Sequence, residues 1–522
     1  MELENLKSFI SEIENDLPTE EWVSNGVCLW PMLRTYLLKD KSIFYYTKIF
    51  TSTLRPPENI AESVDVSMVN FIGRVKASLK YRITKMRRIK RFKELENKIV
   101  GSKADVLFHS LAGYNVNFQG KAFNRFVGPL IPIVKENNLK YLFFELNHAD
   151  THEYLSAEDS IPLMFMLEHF VTTRAEMLEE DGIQVNLPQH EIFFKRLQER
   201  FPKANLSNYT KNEISRRFAY VLIYKEFYCK YLAKLNLKAV FQVCFYSPQG
   251  FALNLACKEL SIPCIDIQHG LIGNNNFVYS RWNLPESGYD ALPDYFFTWG
   301  KRDADIINAW AASSHHRAIA FGNVWLQFFK GNKGLFESDS MAVIAKKYRH
   351  VANPKFILFA SAPISSELDI LPAVKELISC SPQNYVWLFR KHQRSVMSSK
   401  MIQEYLSKST GNPNIEVELS SNVVIPLLFS LADIHVTGWS STTIDATYFG
   451  THTLLITKVG TSHFLKELEE GLVSFVGENP KDMLAFLHNY FASNERADAS
   501  VVDNVLYKNV LIEFLSSQKT KY

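Results

Sequence analysis

Residues able to do chemistry gather where apolar runs end. The densest group is Gly438-Trp439-Ser440-Ser441-Thr442-Thr443, which follows DIHVT (433–437) and opens a helical pattern. The first backbone N–H groups of a helix have no partner inside it, so hydroxyls placed there complete a ready anion site. The same residues also fit a plain capping box, Ser441 or Thr442 with Asp445. Arg390, Lys391 and His392 close another apolar run, YVWLFR (385–390). A guanidinium offers a two-pronged fork to phosphate and an imidazole can donate from either nitrogen; a solvated strand end is the alternative.

A second group sits in the first half of the chain. IPCIDIQHG (262–270) ends in Gln268-His269-Gly270, and His269 either braces its loop through both ring nitrogens or serves as a donor or base. Asp266, an acid inside that apolar run, is either a bracing group or a tuned base, because a buried carboxylate must be paired or neutral. Glu145 ends LKYLFFEL (139–146) beside Asn147 and His148. Asn274, Asn275, Asn276, Tyr279 and Arg281 follow His269, and such amides and rings suit a hydroxyl-rich ligand.

Short strands must position these groups. Apolar runs at 104–110, 139–146, 238–247, 262–270, 294–300 and 317–323 read as one set of strands, and those at 355–361, 385–392, 415–419, 433–438, 453–457 and 473–476 as another. Helical patterns alternate with them, which predicts doubly wound parallel sheets whose ligands bind at the carboxyl ends of the strands. The Gly- and Asn-rich stretch between the first two strands reads as a loop or lid. The polar segment 331–352 marks a boundary. The resulting division is a helical extension over 1–98, a first α/β domain over 99–335, a second over 336–480, and helices over 481–522 that are expected to cross back.

Length and composition narrow the class. A chain of 522 residues, 47% hydrophobic, can bury large cores in two or three domains. Its net charge of +3 is too small to imply nucleic acid. The six Cys are scattered without a CxxC pair, which predicts buried thiols in a reduced compartment and no zinc site. The acidic amino terminus lacks the basic start and apolar core of a signal peptide, and no run of about 18 apolar residues occurs, so a cytoplasmic protein is expected. From Arg74 to Lys93 the chain reads RVKASLKYRITKMRRIKRFK; half of these residues are basic and none is acidic. Apolar positions recur there at spacings of three and four, giving an amphipathic helix that is simply solvated, held on an anionic membrane surface or, with no reader module beside it to favour this, bound to nucleic acid.

Taken together, QHG at 268–270, LPDYFFTWG at 292–300, FGN at 321–323, FRKH at 389–392 and GWSSTTIDATYFG at 438–450 resemble the GT-B glycosyltransferases of bacterial surface polysaccharides. The resemblance is nearest to the group that includes capsule Kdo transferases, polysialyltransferases and teichoic-acid glycerophosphotransferases. It implies a GT-B-like α/β fold, two doubly wound domains facing a cleft, with the helical extension in front. It also implies a nucleotide-activated sugar such as a CMP-linked nonulosonic acid, and a glycan or lipid-linked acceptor at the inner face of the membrane. By that resemblance His392, Ser440, Ser441 and Thr442 hold the nucleotide phosphates, although Gln393 stands where the group has proline; Arg390 and Gly438 join them from the reading of the residues themselves. The general base is an acid of the first domain, for which Glu145 and Asp266 are candidates, with His269 beside them. No metal and no cofactor beyond the donor are implied. A polyol-phosphate transferase, a nucleotide-sugar epimerase and a non-catalytic scaffold are the alternatives.

Overall fold

The computed structural model describes residues 2–40, 42–43, 71–147, 160–179, 183–336, 339–361, 370–392, 395, 397–493 and 506–518. His148 and Gln393 lie outside this set, as do the side chains of 71–85.

The first sheet contains β1 (Val106–Leu111), β2 (Tyr141–Leu146), β3 (Ser160–Pro162), β4 (Ala239–Gln242), β5 (Cys264–Ile267), β6 (Tyr295–Thr298) and β7 (Arg317–Ala320). Their order is β7-β6-β5-β4-β1-β2-β3, and every neighbouring pair is parallel. Strands buried on both faces must be apolar at consecutive positions, and VLF in β1 and YLFF in β2 are. Because side chains alternate across a strand, one run feeds two cores. Leu107, Leu142 and Phe144 pack with helices Leu163–Thr172, Lys211–Leu232 and Pro248–Leu260. Phe108, Tyr141, Phe143 and Phe241 pack on the other face with Leu130–Glu136 and with the last helix, Tyr507–Ser517.

The amino-terminal helices Glu2–Asp16 and Trp30–Lys39 share the first of these cores through Phe9, Ile13, Trp30 and Leu33. Pro31 takes the first turn of its helix, where its missing N–H costs nothing. Buried Arg34 forms an ion pair with Glu14 Oε1 at 2.9 Å and donates to the carbonyls of Phe277, Ser280 and Arg281, so this helix also braces the loop after β5. The basic segment lies in one helix, Phe71–Gly101. Phe92, Leu95 and Ile99 anchor its carboxyl half, while Met86 stays 70% exposed.

The second sheet contains β8 (Lys355–Ala360), β9 (Tyr385–Arg390), β10 (Ile415–Glu416), β11 (Ile434–Thr437), β12 (Thr453–Leu455) and β13 (Val473–Phe475), ordered β10-β9-β8-β11-β12-β13 and again all parallel. Helices Pro372–Cys380, Ser399–Thr410 and Pro480–Ser493 cover one face, packing Val374, Leu406 and Leu487 against Trp387 and Phe389. Trp325, Phe329, Ile344 and Tyr348 cover the other. The architecture is GT-B-like: two doubly wound parallel-sheet domains facing a cleft.

The stretch after β1, read from sequence as a loop or lid, is a hairpin of Asn115–Phe118 with Lys121–Asn124. Gln119 and Gly120 both have positive φ (51° and 76°), the geometry of a two-residue type I′ turn. Phe118 and Phe123 pack on Phe328 and Phe336, so the hairpin is docked rather than free.

Candidate functional site

Both sheets reverse their strand order once, between β1 and β4 in the first and between β8 and β11 in the second. In open parallel sheets ligands lodge in the crevice this reversal leaves at the carboxyl ends. Here the two carboxyl ends face each other. Arg302 Nη1 meets Glu467 Oε1 at 2.7 Å, Asn275 Nδ2 donates to Ser462 O at 3.0 Å, and Leu271 packs against the core around Phe464.

In the second domain, Thr437 Oγ1 donates to Ala360 O at 2.8 Å, tying β11 to β8 at the reversal. Thr442 Oγ1 lies 3.1 Å from His435 Nε2 and donates to Ser440 Oγ at 2.9 Å, and His435 Nδ1 lies 3.0 Å from Thr453 Oγ1. Burial lowers the His435 imidazole to about 3, so it is a neutral brace under the turn. Gly438 O accepts from Thr457 Oγ1 at 2.8 Å, and a Cβ on Gly460 would stand 2.2 Å from that same Gly438 oxygen. The turn is thus held from below on several sides. Its outer edge is not: Ser441 starts the helix Thr442–Tyr448 with helical dihedrals (φ −62°, ψ −12°), its side chain makes no cap bond, and it is exposed. A side-chain cap needs extended backbone at that position, so the capping box is not formed.

Arg390 ends β9 with Nη1 donating to Ser420 O at 2.7 Å and to Val423 O, which pins the turn after β10. Among the described residues no acceptor meets its Nε or Nη2. Burial first, then the charge of Arg125, lowers its basicity to about 10. His392 is half-buried beyond it, its amide donating to Ser361 Oγ at 2.7 Å. Arg390, His392 and the 438–442 turn therefore share one end of the second sheet.

Arg125 faces them from the first domain, and sequence reasoning missed it. Asn124 sets its position: fully buried, it accepts from the amides of Phe126 and Val127 and donates to Ser110 Oγ, Leu111 O and Asn115 Oδ1. Arg125 then lies over the rings of Phe126 (4.9 Å) and Tyr114 (5.6 Å), with its buried Nε unpaired. Its charge bears on Asp445 and Arg390 of the second domain. Burial raises the Asp445 carboxyl to about 7, and Arg125 opposes that rise. The turn contributes another buried donor without an acceptor, Trp439 Nε1. The only prior signal for Arg125 was a basic residue in an aromatic, Asn-rich stretch.

On the first-domain side, Asp266 and His269 belong to one network. Asp266, 1% exposed, accepts from Phe245 N and Tyr279 Oη, both at 3.0 Å. Burial drives its carboxyl up to about 8, while those donors hold it down. Cys244 takes φ = 74°, a strained conformation for a side chain-bearing residue, in the turn that aims the Phe245 amide at Asp266. His269 Nε2 lies 2.9 Å from Tyr246 Oη and Nδ1 lies 3.5 Å from Tyr279 Oη, with the Tyr246 ring stacked on the imidazole. Glu145 is elsewhere. It is three strands from β5, about 14 Å at the usual strand spacing, fully buried, and accepts from Asn115 Nδ2 at 2.7 Å. Among the described residues no group of three His, Cys, Asp or Glu side chains could hold a metal ion, and no helix is long and apolar enough to cross a membrane.

No family model matches the sequence, and no curated protein matches it. Among solved structures the chain is similar to a UDP-GlcNAc 2-epimerase from Neisseria meningitidis bound to UDP-GlcNAc (13% identity, TM-score 0.47, 79% of this chain and 99% of that one). It is similar also to a Methanocaldococcus jannaschii UDP-GlcNAc 2-epimerase in complex with UDP-GlcNAc and UDP (13%, 0.47, 79% and 99%). A third such structure is the wall teichoic acid polymerase TagF (11%, 0.42, 86% and 98%). At these scores and identities the likenesses bear on no residue of the site.

Proposed function

We propose that this protein is a transferase that moves a sugar from a nucleotide-activated donor to a surface glycan or its lipid-linked precursor. A CMP-linked Kdo or nonulosonic acid is the donor we favour from the sequence motifs. One observation carries the reading. Two arginines from different domains, Arg125 and Arg390, are placed so that the charge of the first bears on the second, and among the described residues the buried Arg125 Nε meets no acceptor, beside a turn whose Ser441 hydroxyl makes no cap bond. Like charges approach at a cost, which a phosphate between them would offset through charge-assisted hydrogen bonds.

In this reading Arg125, Arg390, His392 and the 438–442 turn take the charge that develops on the leaving phosphate. The first domain orients the acceptor hydroxyl, and His269 or a carboxylate receives its proton. No metal or further cofactor is invoked, and nucleic acid is not a partner. The basic helix rests on the inner face of the cytoplasmic membrane, where lipid-linked acceptors would be met.

A thermal-shift series with CMP, CDP, UDP and GDP tests the reading, since a ligand that binds only the folded state raises the melting temperature. Stabilisation by CMP alone supports nonulosonate or Kdo transfer. Stabilisation by CDP, with phosphorus found in the product, assigns a polyol-phosphate transferase instead. No shift with any nucleotide overturns the proposal.

A further inference from the structure

The hydrogen-bond chain under His269 has a property that none of its members has alone. It runs from Asp266 Oδ2 to Tyr279 Oη (3.0 Å), from Tyr279 Oη to His269 Nδ1 (3.5 Å), and from His269 Nε2 to Tyr246 Oη (2.9 Å). Each hydroxyl and the neutral ring carry one proton, so the direction of every bond is set by whether the carboxyl end carries another. We infer that Asp266, acting through Tyr279, selects the tautomer of His269, and that both are positioning residues for that imidazole.

The two states balance. With Asp266 ionised, Tyr279 donates to the carboxylate, His269 Nδ1–H donates to Tyr279, and Tyr246 donates to a bare Nε2. With Asp266 protonated, the carboxyl donates to Tyr279, Tyr279 donates to a bare Nδ1, and Nε2–H donates to Tyr246. Passing from the protonated to the ionised state removes one proton in all: Asp266 gives up its own to solvent, the hydroxyl protons of Tyr279 and Tyr246 turn towards Asp266 and Nε2, and the ring exchanges its Nε2 proton for one on Nδ1, so it stays neutral. Only the first state leaves Nε2 able to accept a proton.

Among the groups around this hydrogen-bond chain, burial brings Asp266 to about 8. The turn before it brings Phe245 N and Cys244, its own strand brings Cys264, and the loop after it brings Tyr279. Around His269 stand Tyr246, Tyr114 and Phe126; Lys39 sits over the Tyr246 ring at 4.4 Å and Arg125 over the Tyr114 ring at 5.6 Å. Burial pushes Cys264, Tyr246 and Tyr279 well up, whereas Asp266 stands at about 8. The inference goes beyond the proposed transfer and survives its failure, because the measurement reads the ring directly.

The experiment is side-chain nitrogen NMR on the full-length chain labelled with [15N]histidine, from pH 6 to 9.5, where the protonated and bare nitrogens of a neutral imidazole resonate far apart. His269→Gln identifies the signals by their loss. The wild type should change from Nε2–H to Nδ1–H with a midpoint near 8. Asp266→Asn and Tyr279→Phe should each abolish that change while thermal melting confirms that they fold. If Asp266→Asn does not fold, Tyr279→Phe, which removes one hydroxyl, still decides. A single tautomer at every pH in the wild type, a crossover retained in Tyr279→Phe, or an imidazolium at pH 7 would overturn the inference.

Discussion

Arg125 and Asp445 belong to different domains, yet each perturbs the other's charge across the cleft, and no hydrogen bond joins them. Among the described residues Asp445 is the acid whose charge bears on Arg125, while Arg390 adds a like charge on the same side. Groups that bear on one another's charge across the domains without a hydrogen bond are placed for a third group to enter between them.

Replacing Arg125 with Ala should therefore weaken whichever nucleotide stabilises the protein. Hydrogen bonds to charged groups contribute about 1.5–3 kcal/mol each, so the loss expected in calorimetric titration is about 10- to 100-fold. Arg125→Lys, which keeps the charge and loses the fork, should recover only part of it. An unchanged dissociation constant would remove Arg125 from the site.

Stability should fall as pH rises through the neutral range. Asp445 at about 7 and Asp266 at about 8 hold their protons well above the ordinary aspartate value. Between about 4, where an unfolded aspartate ionises, and these values, the folded chain binds more protons than the unfolded one. The stabilisation is thus complete below that lower pH and is lost as pH climbs past each folded value. Melting temperatures at pH 5, 7 and 9 should decline, and Asp266→Asn and Asp445→Asn should each flatten the decline. A melting temperature that rises from pH 6 to 8.5 would contradict this account.

Arg390 should couple binding to local stability. Its Nη1 holds the carbonyls of Ser420 and Val423. Arg390→Ala leaves both without that donor, at a cost of about 1–3 kcal/mol for each acceptor that stays buried. Both a lower melting temperature and loss of the nucleotide-induced shift are expected. A variant that melts lower but keeps the shift would assign Arg390 to the scaffold alone.

Much of this fold was legible because a strand buried on both faces must be apolar along its length, as 356–360 and 385–389 are. The edge strand 160–162 was not, since Ser-Ile-Pro carries too few apolar residues to register. The hairpin at 115–124 was read as a loop because Gln119-Gly120 replaces the Asn-Gly or Asp-Gly that usually announces its turn. At the site, hydroxyls clustered at 440–442 stand out in sequence because they are consecutive. Arg125 does not, because its placement depends on Asn124 and on Asp445, which lies in another domain. Nor could sequence decide how His269 uses its ring, since Tyr246 and Tyr279 reach it from separate loops.

The basic helix offers an independent test on vesicles. Arg87, Lys90 and Lys93 are exposed beside Met86 and Ile89, while Phe92 and Leu95 hold the helix to the body. Each basic residue near an anionic surface contributes about 1 kcal/mol, so changing the three to Ala should weaken sedimentation with phosphatidylserine vesicles by about 100-fold. High salt should have the same effect on the wild type. Equal binding by the variant would leave the helix as a solvated one.

Gly460→Ala probes the turn without touching any group that would meet a phosphate. Its Cβ would stand 2.2 Å from Gly438 O, a backbone atom already held by Thr457 Oγ1 at 2.8 Å. Neither can withdraw without moving 438–442, since Thr437 and Thr457 bind the turn at both sides. The displacement should lift Thr442 off His435, and Ser440 with it, and cost nucleotide binding at least 10-fold, with only a modest change in melting temperature because the sheet beneath is untouched. Calorimetry on this variant beside Ser441→Ala separates geometry from chemistry: the former should lose most of the affinity and the latter only the contribution of one hydroxyl, about 1 kcal/mol. Full affinity in Gly460→Ala would mean that the nucleotide does not rest on this turn.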